Sequence, residues 1–144
     1  MAKSYRVTTS KRIVNQLMTL LIRLGVGPDK MHLLTVTGRK SGKPYSTPVS
    51  LVLQDGQRYL VSPYGEVNWV RNARAAGTVT IRRGSNTKTL TIEELDAEAS
   101  APILKQYIAS EAITRPYFDA GPDSSVEDFA REAHRHPVFR LVST

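Results

Sequence analysis

The dipeptide Asp55-Gly56 most constrains what this chain can fold into. It separates two β-rich runs, "YSTPVSLVLQ" before it and "RYLVS" after it. Asp-Gly suits a two-residue turn in which both central residues need positive φ, so the runs are expected to pair as a hairpin. Further strands are expected at "HLLTVT", "TVTIRR", "KTLTIEEL" and "VFRLV", with "RGSN" as a turn. Helices are expected at the start and in the last third. The first runs from about residue 10 to 24, with Ser10 as its cap. Ile13, Leu17, Leu20, Leu21 and Leu24 recur at spacings of three and four, and Gly25, Gly27 and Pro28 end the helix. The segment from Glu93 to Tyr107 reads as helical, with Pro102 starting or kinking a helix. Ser125 to His134 reads as another short helix, and "RPYFDAGPDSS" as a loop. About six antiparallel strands with these helices predict a mainly β, α+β fold: a small barrel or sheet in one domain, 1–144.

The first helix has two readings. Its apolar stripe packs on the domain, or, with Lys11, Arg12 and Arg23 beside it, rests on an anionic membrane surface. The longest mainly apolar run is too short to cross a bilayer, and the N-terminus does not read as an export signal. A cytoplasmic location is expected, with membrane association left open through the helix.

The net charge of +7 conceals an asymmetry. Residues 1–92 hold 15 Lys and Arg against 3 Asp and Glu, whereas residues 93–144 hold 5 against 10. The basic half implies an anionic ligand without choosing among nucleic acid, membrane and a phosphorylated cofactor. Zinc-finger ligands, a helix-turn-helix pattern and aromatic-rich basic strands are all missing, which argues against nucleic acid. Cysteine is absent, so thiolate chemistry and Cys-ligated metal are excluded. His32, His134 and His136 form no metal motif, and His134 and His136 read as exposed or capping. No GxSxG or HExxH occurs, so hydrolytic chemistry has no constellation to use.

Two turn regions carry the remaining signal. "TGRKSGKPYSTP", residues 37–48, places Arg39, Lys40 and Lys43 among Gly38, Ser41 and Gly42. Turn amides and cations together can form an anion nest, although a solvated basic hairpin tip has the same composition. The segment lies between strands, so it is neither GxGxxG nor a GxxxxGK[ST] loop, both of which need a following helix. "SPYGEVNWVRNARAAG", residues 62–77, begins at the end of a strand and continues as a short helix bearing Trp69, Arg71, Asn72 and Arg74. Trp69 is equally suited to the core and to a cavity wall. The intervening hairpin brings the two regions together. With no catalytic constellation in the chain, chemistry by a bound cofactor is the reading left.

"LLTVTGRKSGKPYSTPVSLVLQDGQRYLVSPYGEVNWVRNARAAGTVTIRR" resembles the core of the deazaflavin (F420)-dependent nitroreductase family, among the split β-barrel flavin and deazaflavin oxidoreductases. The resemblance spans roughly residues 30–92, and "RPYFDAGPDSS" and "HPVFRL" also look typical. The order GRKSG, Pro, DG hairpin, Gly turn and W-x-x-N carries it. It implies a split β-barrel that uses reduced F420 to pass hydride to an enone, quinone or nitroaromatic acceptor. FMN as cofactor and a non-catalytic carrier of F420 or another amphipathic ligand are the alternatives. Monomer and homodimer are both compatible with the resemblance.

On that resemblance Arg39, Lys40, Ser41 and Gly42 would engage the cofactor's anionic arm. Pro48, Val49 and Ser50 would lie beside the ring. Ser62, Pro63, Tyr64 and Gly65, with Trp69, Asn72, Ala73 and Arg74, would wall the opposite end, Asn72 making a directional hydrogen bond. Tyr117 is the preferred residue for contacting or protonating substrate, with Ser62, Tyr64 and Tyr107 as rivals; no metal is expected. Many relatives carry an Arg where this chain has Tyr45 and a Lys where it has Tyr64. Arg71 and Arg74 would compensate for those charges.

Overall fold

The computed structural model describes residues 9–143. The expectation about an export signal rests mainly on residues outside that range. Six antiparallel strands close a barrel in the order β1-β2-β3-β6-β5-β4. They are β1 (Met31–Thr37), β2 (Pro44–Gln54), β3 (Gln57–Val61), β4 (Thr78–Arg83), β5 (Asn86–Glu94) and β6 (Val138–Ser143). β1 pairs with β4 to close the barrel, and β6 lies between β3 and β5. All six expected strands are present.

Turn chemistry sets the registers. Gln54 stands opposite Gln57, and the two residues between them, Asp55 and Gly56, have φ of 52° and 75°. Two positive φ values at a two-residue turn match the right-handed twist of the strands it joins. One expectation fails next to a strand. Glu93 and Glu94 belong to β5, because they pair with Arg140 and Phe139 of β6. Helix α3 (Ala97–Ser110) therefore starts later, capped by Asp96, whose carboxylate accepts from the Ala99 amide at 2.8 Å. Pro102 neither starts α3 nor ends it; it lies in the second turn on the exposed side. Ser125 caps α4 (Val126–Glu132) through a reciprocal pair of bonds with Asp128, which are stabilising together. The expected loop before it begins inside a 3-10 turn, Ala112–Tyr117, which takes in its first three residues.

Alternation along the strands produces two apolar clusters. Leu51, Leu60 and Phe139 point into the barrel with Leu34 and Val79. Their chain neighbours Val52, Val61 and Val138 point outward to meet Leu104, Ile108, Phe118 and Phe129 of the C-terminal segments. Phe129 and Phe139 are wholly buried, and each such burial contributes about 1.5–3 kcal/mol.

Helix α1 (Thr9–Arg23) corrects two expectations. It is already helical at Thr9, so Ser10 lies inside it and is not its cap. Its apolar stripe does not pack on the barrel: Ile13, Leu17, Leu20 and Leu24 are all more than half exposed. The inward face instead carries Lys11, Asn15, Met18 and Ile22, spaced one helical turn apart. Ile22 alone is fully buried. Backbone bonds anchor the C-terminal end. Gly25, at φ 73°, donates to Ile22 O and Val26 donates to Leu21 O, both at 2.9 Å, the paired pattern of a glycine-capped helix end. Arg83 then gathers the following loop, donating to Pro28 O at 2.7 Å and Gly27 O at 2.6 Å. A guanidinium holding carbonyls fixes this helix end in a way that no hydrophobic pattern announces. Helix α2 (Asn68–Ala76) ends on Gly77 at φ 77°.

Candidate cofactor and substrate site

An open cavity of about 1130 Å³ lies between α1, the turn joining β1 to β2, α2 and the C-terminal segments. Drug-sized ligands occupy about 300–1,000 Å³, so this volume has room for a large cofactor with an acceptor beside it.

Residues 38–43 form its basic end. Gly38 donates to Lys43 O at 2.8 Å and Gly42, at φ 72°, donates to Gly38 O at 3.0 Å. The Lys43 amide meets Ser41 Oγ at 3.2 Å. Asn72 of α2 is buried, and its Oδ1 accepts from both the Arg39 amide at 3.1 Å and Arg39 Nη1 at 2.7 Å. One side chain thus pins the turn and its guanidinium to α2, thirty-three positions away. These bonds leave the Lys40 and Ser41 N–H groups, among the described residues, without a protein acceptor. Two amides beside exposed Arg39 and Lys40 suit an anion. Tyr45 closes this end: its hydroxyl meets Ser41 Oγ at 3.1 Å, and its ring lies against Gly38. A Cβ at Gly38 would stand 2.6 Å from that ring and 2.7 Å from Ser41 Oγ, so a larger residue would push these two exposed side chains aside.

The other end is aromatic. Pro63, Tyr64 and the buried Tyr107 line it, with Lys30 paired to Glu111 at 3.7 Å. Burial pushes the Tyr107 hydroxyl well above its ordinary value, and the neighbouring Glu111 and Tyr64 add to this against a hydrogen bond with Thr114. Tyr107 is therefore a neutral hydrogen-bond donor throughout the physiological range. Ser62 is wholly buried, and its hydroxyl donates to Gly65 O at 2.6 Å, holding the turn that presents Tyr64. Tyr117 packs edge-on against Tyr64 with centroids 4.8 Å apart and accepts from Lys11 Nζ at 3.3 Å.

The cavity brings together Arg39, Lys40, Ser41, Pro48, Val49, Ser50, Pro63, Tyr64, Trp69, Asn72 and Tyr107. Trp69 does double duty, lining the cavity while leaning on Phe139 at 6.0 Å. Five other expected site residues frame it from behind: Gly42 and Ser62 shape turns, Gly65 accepts from Ser62, Ala73 sits in the core, and Tyr117 backs Tyr64. Arg74 is placed elsewhere. Its guanidinium bonds both oxygens of Glu94, at 2.8 and 2.7 Å, and stands 3.4 Å from Glu66. Of the two compensating cations, Arg71 alone lines the cavity. Lys30, Met18, Glu111 and Thr114 also line it and were not expected; only contacts across the fold reveal them. His136, read as exposed or capping, is buried in the C-terminal segments.

A six-stranded antiparallel barrel with an anion-suited turn beside a large cavity places the protein in the split-barrel, flavin-binding-like class. Residues 4–118 match the family model for F420H2-dependent quinone reductase, and the chain belongs to that family. A solved structure of an F420-H2 dependent reductase (FDR-A) is 24% identical over 78% of this chain and 94% of its own, with a TM-score of 0.54. A domain-swapped dimer is also 24% identical, covering 92% of both chains at a TM-score of 0.56. A FAD-binding protein from Mesorhizobium loti shares the fold at 15% identity, over 90% of this chain and 88% of its own, with a TM-score of 0.51. No curated protein matches the sequence.

Proposed function

We propose that the chain is a reductase that takes hydride from reduced F420 and gives it to an electrophilic small molecule such as an enone, quinone or nitroaromatic. The observation that carries this reading is the pinned basic turn: Asn72 fixes Arg39, and two amides stay available beside Lys40. This donor set fits a phosphate and an acidic tail, which F420 carries. Arg39, Lys40 and Ser41 bind the arm, and Pro48, Val49, Ser50 and Trp69 form flat walls for the ring. When bound, the reduced deazaflavin supplies the hydride from its central ring carbon. The chain orients the acceptor over that wall and keeps bulk water away beneath α1, whose Asn15 and Met18 line the cavity. Tyr64 is the proposed donor of a proton or hydrogen bond to the acceptor, since of the Tyr64–Tyr117 pair it is Tyr64 that lines the cavity. Tyr107, at the same aromatic end, holds the acceptor beside it.

A binding titration of the purified protein with F420 and with FMN, followed by an acceptor screen with reduced F420, tests the proposal. Saturable F420 binding and consumption of reduced F420 with an enone or quinone are expected. FMN binding without F420 binding would move the cofactor to flavin, and F420 binding with no acceptor consumed would make the chain a carrier. The outward stripe of α1 beside Arg12 and Arg23 supports weak peripheral contact with anionic membrane. Sedimentation with anionic vesicles, against neutral ones, tests that contact. A homodimer is likewise a proposal for this chain, tested by its mass in solution.

A further inference from the structure

Behind the aromatic end lies a buried polar cluster that the proposed reaction does not use. Glu132 is 4% and His136 2% exposed. His136 Nδ1 lies 2.9 Å from Pro63 O, immediately before Tyr64, and Nε2 lies 2.7 Å from Glu132 Oε1. The same carboxylate accepts from the Asp119 amide at 3.1 Å and the Ala120 amide at 2.7 Å, just beyond Tyr117. Phe118 stacks on the imidazole, with centroids 3.7 Å apart and planes 15° from parallel.

The acidic side makes this more than core packing. Burying a carboxylate is costly unless its lone pairs are met, and here two backbone amides donate to Glu132 and the His136 ring meets it at 2.7 Å, with Arg135 3.6 Å away. What those three partners have in common is where they lie. Two belong to the loop that follows Tyr117, and the third carries the connection to the turn that presents Tyr64. The Pro63 carbonyl only accepts, so Nδ1 carries a hydrogen there; at Nε2 the hydrogen comes from the ring or from the carboxyl. Burial holds the imidazolium below the ordinary histidine value, against the raising effect of Glu132 and the Pro63 carbonyl.

We infer that Glu132 and His136 are positioning residues, a clamp that fixes the Tyr64 turn against the Tyr117 loop so that the Tyr64 hydroxyl is aimed into the cavity. The inference rests on the reductase reading for its kinetic consequence and on the fold alone for the clamp. A misplacement of about 1 Å caused by a change away from the reacting atoms can cost about a hundredfold in rate. The clamp touches neither the basic turn nor Asn72, so cofactor affinity is separate from it.

The test compares Glu132→Gln, Glu132→Asp and Glu132→Ala with wild type. Gln keeps an oxygen for the Ala120 amide and an NH2 that can donate to an unprotonated Nε2, at the cost of the Asp119 bond; Asp keeps the charge but falls one methylene short. Expected are kcat values about tenfold lower for Asp and Ala and within about threefold for Gln, with F420 affinity within about twofold throughout. Hydrogen exchange at Ala120, read without cofactor, should speed up about tenfold in Asp and remain slow in Gln. In a Tyr64→Phe background, Glu132→Asp should lower kcat no further, because its effect passes through that hydroxyl. Should Ala fail to fold, the Asp variant decides alone. Wild-type kcat in Glu132→Asp, affinity falling in step with kcat, or additive loss in the Tyr64→Phe background would each overturn the positioning role. If wild type turns over no acceptor, the reductase reading fails, while exchange at Ala120 still decides whether the clamp exists.

Discussion

Residues 38–43 and residues 62–65 both bring backbone to the edge of one cavity, but by opposite means. The basic turn is largely exposed, makes half of its bonds within itself, and is held from outside by Asn72 and Tyr45. The tyrosine turn is mostly buried, is tied internally by Ser62, and is held from outside through His136 and Glu132. A charged, exposed site can capture an anion quickly and let it adjust. Aiming a reacting hydroxyl needs atoms fixed much more closely, which burial and convergent hydrogen bonds supply. Affinity and turnover should therefore be separable by substitution at the two ends.

The largest expected effect tests the tyrosine end. Tyr64→Phe removes the hydroxyl but keeps the ring that packs edge-on against Tyr117. General acid groups contribute about 10²–10⁴-fold, so steady-state kcat should fall about a hundredfold while F420 affinity remains within about twofold. Tyr117→Phe, which removes a hydroxyl behind the cavity wall, should have the smaller effect. If Tyr117→Phe proves as damaging as Tyr64→Phe, the proton comes from Tyr117 and the assignment reverses.

Asn72→Ala tests the basic end and should come next in size. It deletes the acceptor of two hydrogen bonds from Arg39, one of them charged. Hydrogen bonds to charged groups contribute about 1.5–3 kcal/mol, so F420 binding should be about tenfold or more weaker, with kcat at saturation little changed. A double-mutant cycle with Arg39→Ala sharpens this: if Asn72 acts by holding Arg39, the double variant should be little worse than Arg39→Ala alone. Additive losses would mean that Asn72 contacts the cofactor independently.

The barrel was legible from sequence because its determinants are local. Asp55-Gly56 fixes a turn, and alternation around Leu51, Val52, Leu60 and Val61 sorts side chains to two faces. The basic turn was visible for the same reason: its cations, glycines and serine are contiguous. What local pattern cannot supply is direction and long-range pairing. The stripe of α1 is a genuine helical pattern, but nothing in its spacing says that it faces out, since Arg83 anchors the helix end from fifty-six positions away. Arg74 has the composition of a cofactor cation, but Glu94, on strand β5, takes two of its hydrogen bonds. His136 pairs with Pro63 across seventy-three positions, so its burial had no local signature.

The smallest effects should distinguish two neighbouring cations of the basic turn. Lys40 is exposed, and no protein acceptor holds its turn amide among the described residues; Arg39 is held in place by Asn72. An exposed ammonium acts on an anion mainly through charge, and its attraction is screened over about 10 Å at 0.1 M salt. Lys40→Ala should therefore weaken F420 binding about tenfold at low ionic strength and only about twofold at high. A fixed guanidinium adds directional hydrogen bonds that salt screens less, so Arg39→Ala should retain more of its loss at high salt. Titrations at several salt concentrations give the slope of log Kd for each protein. A shallower slope for Lys40→Ala than for wild type, with a more nearly parallel line for Arg39→Ala, is the expected result. Unchanged affinity in both variants would remove the basic turn from cofactor binding and leave Arg71 and Lys30 as the cations lining the cavity.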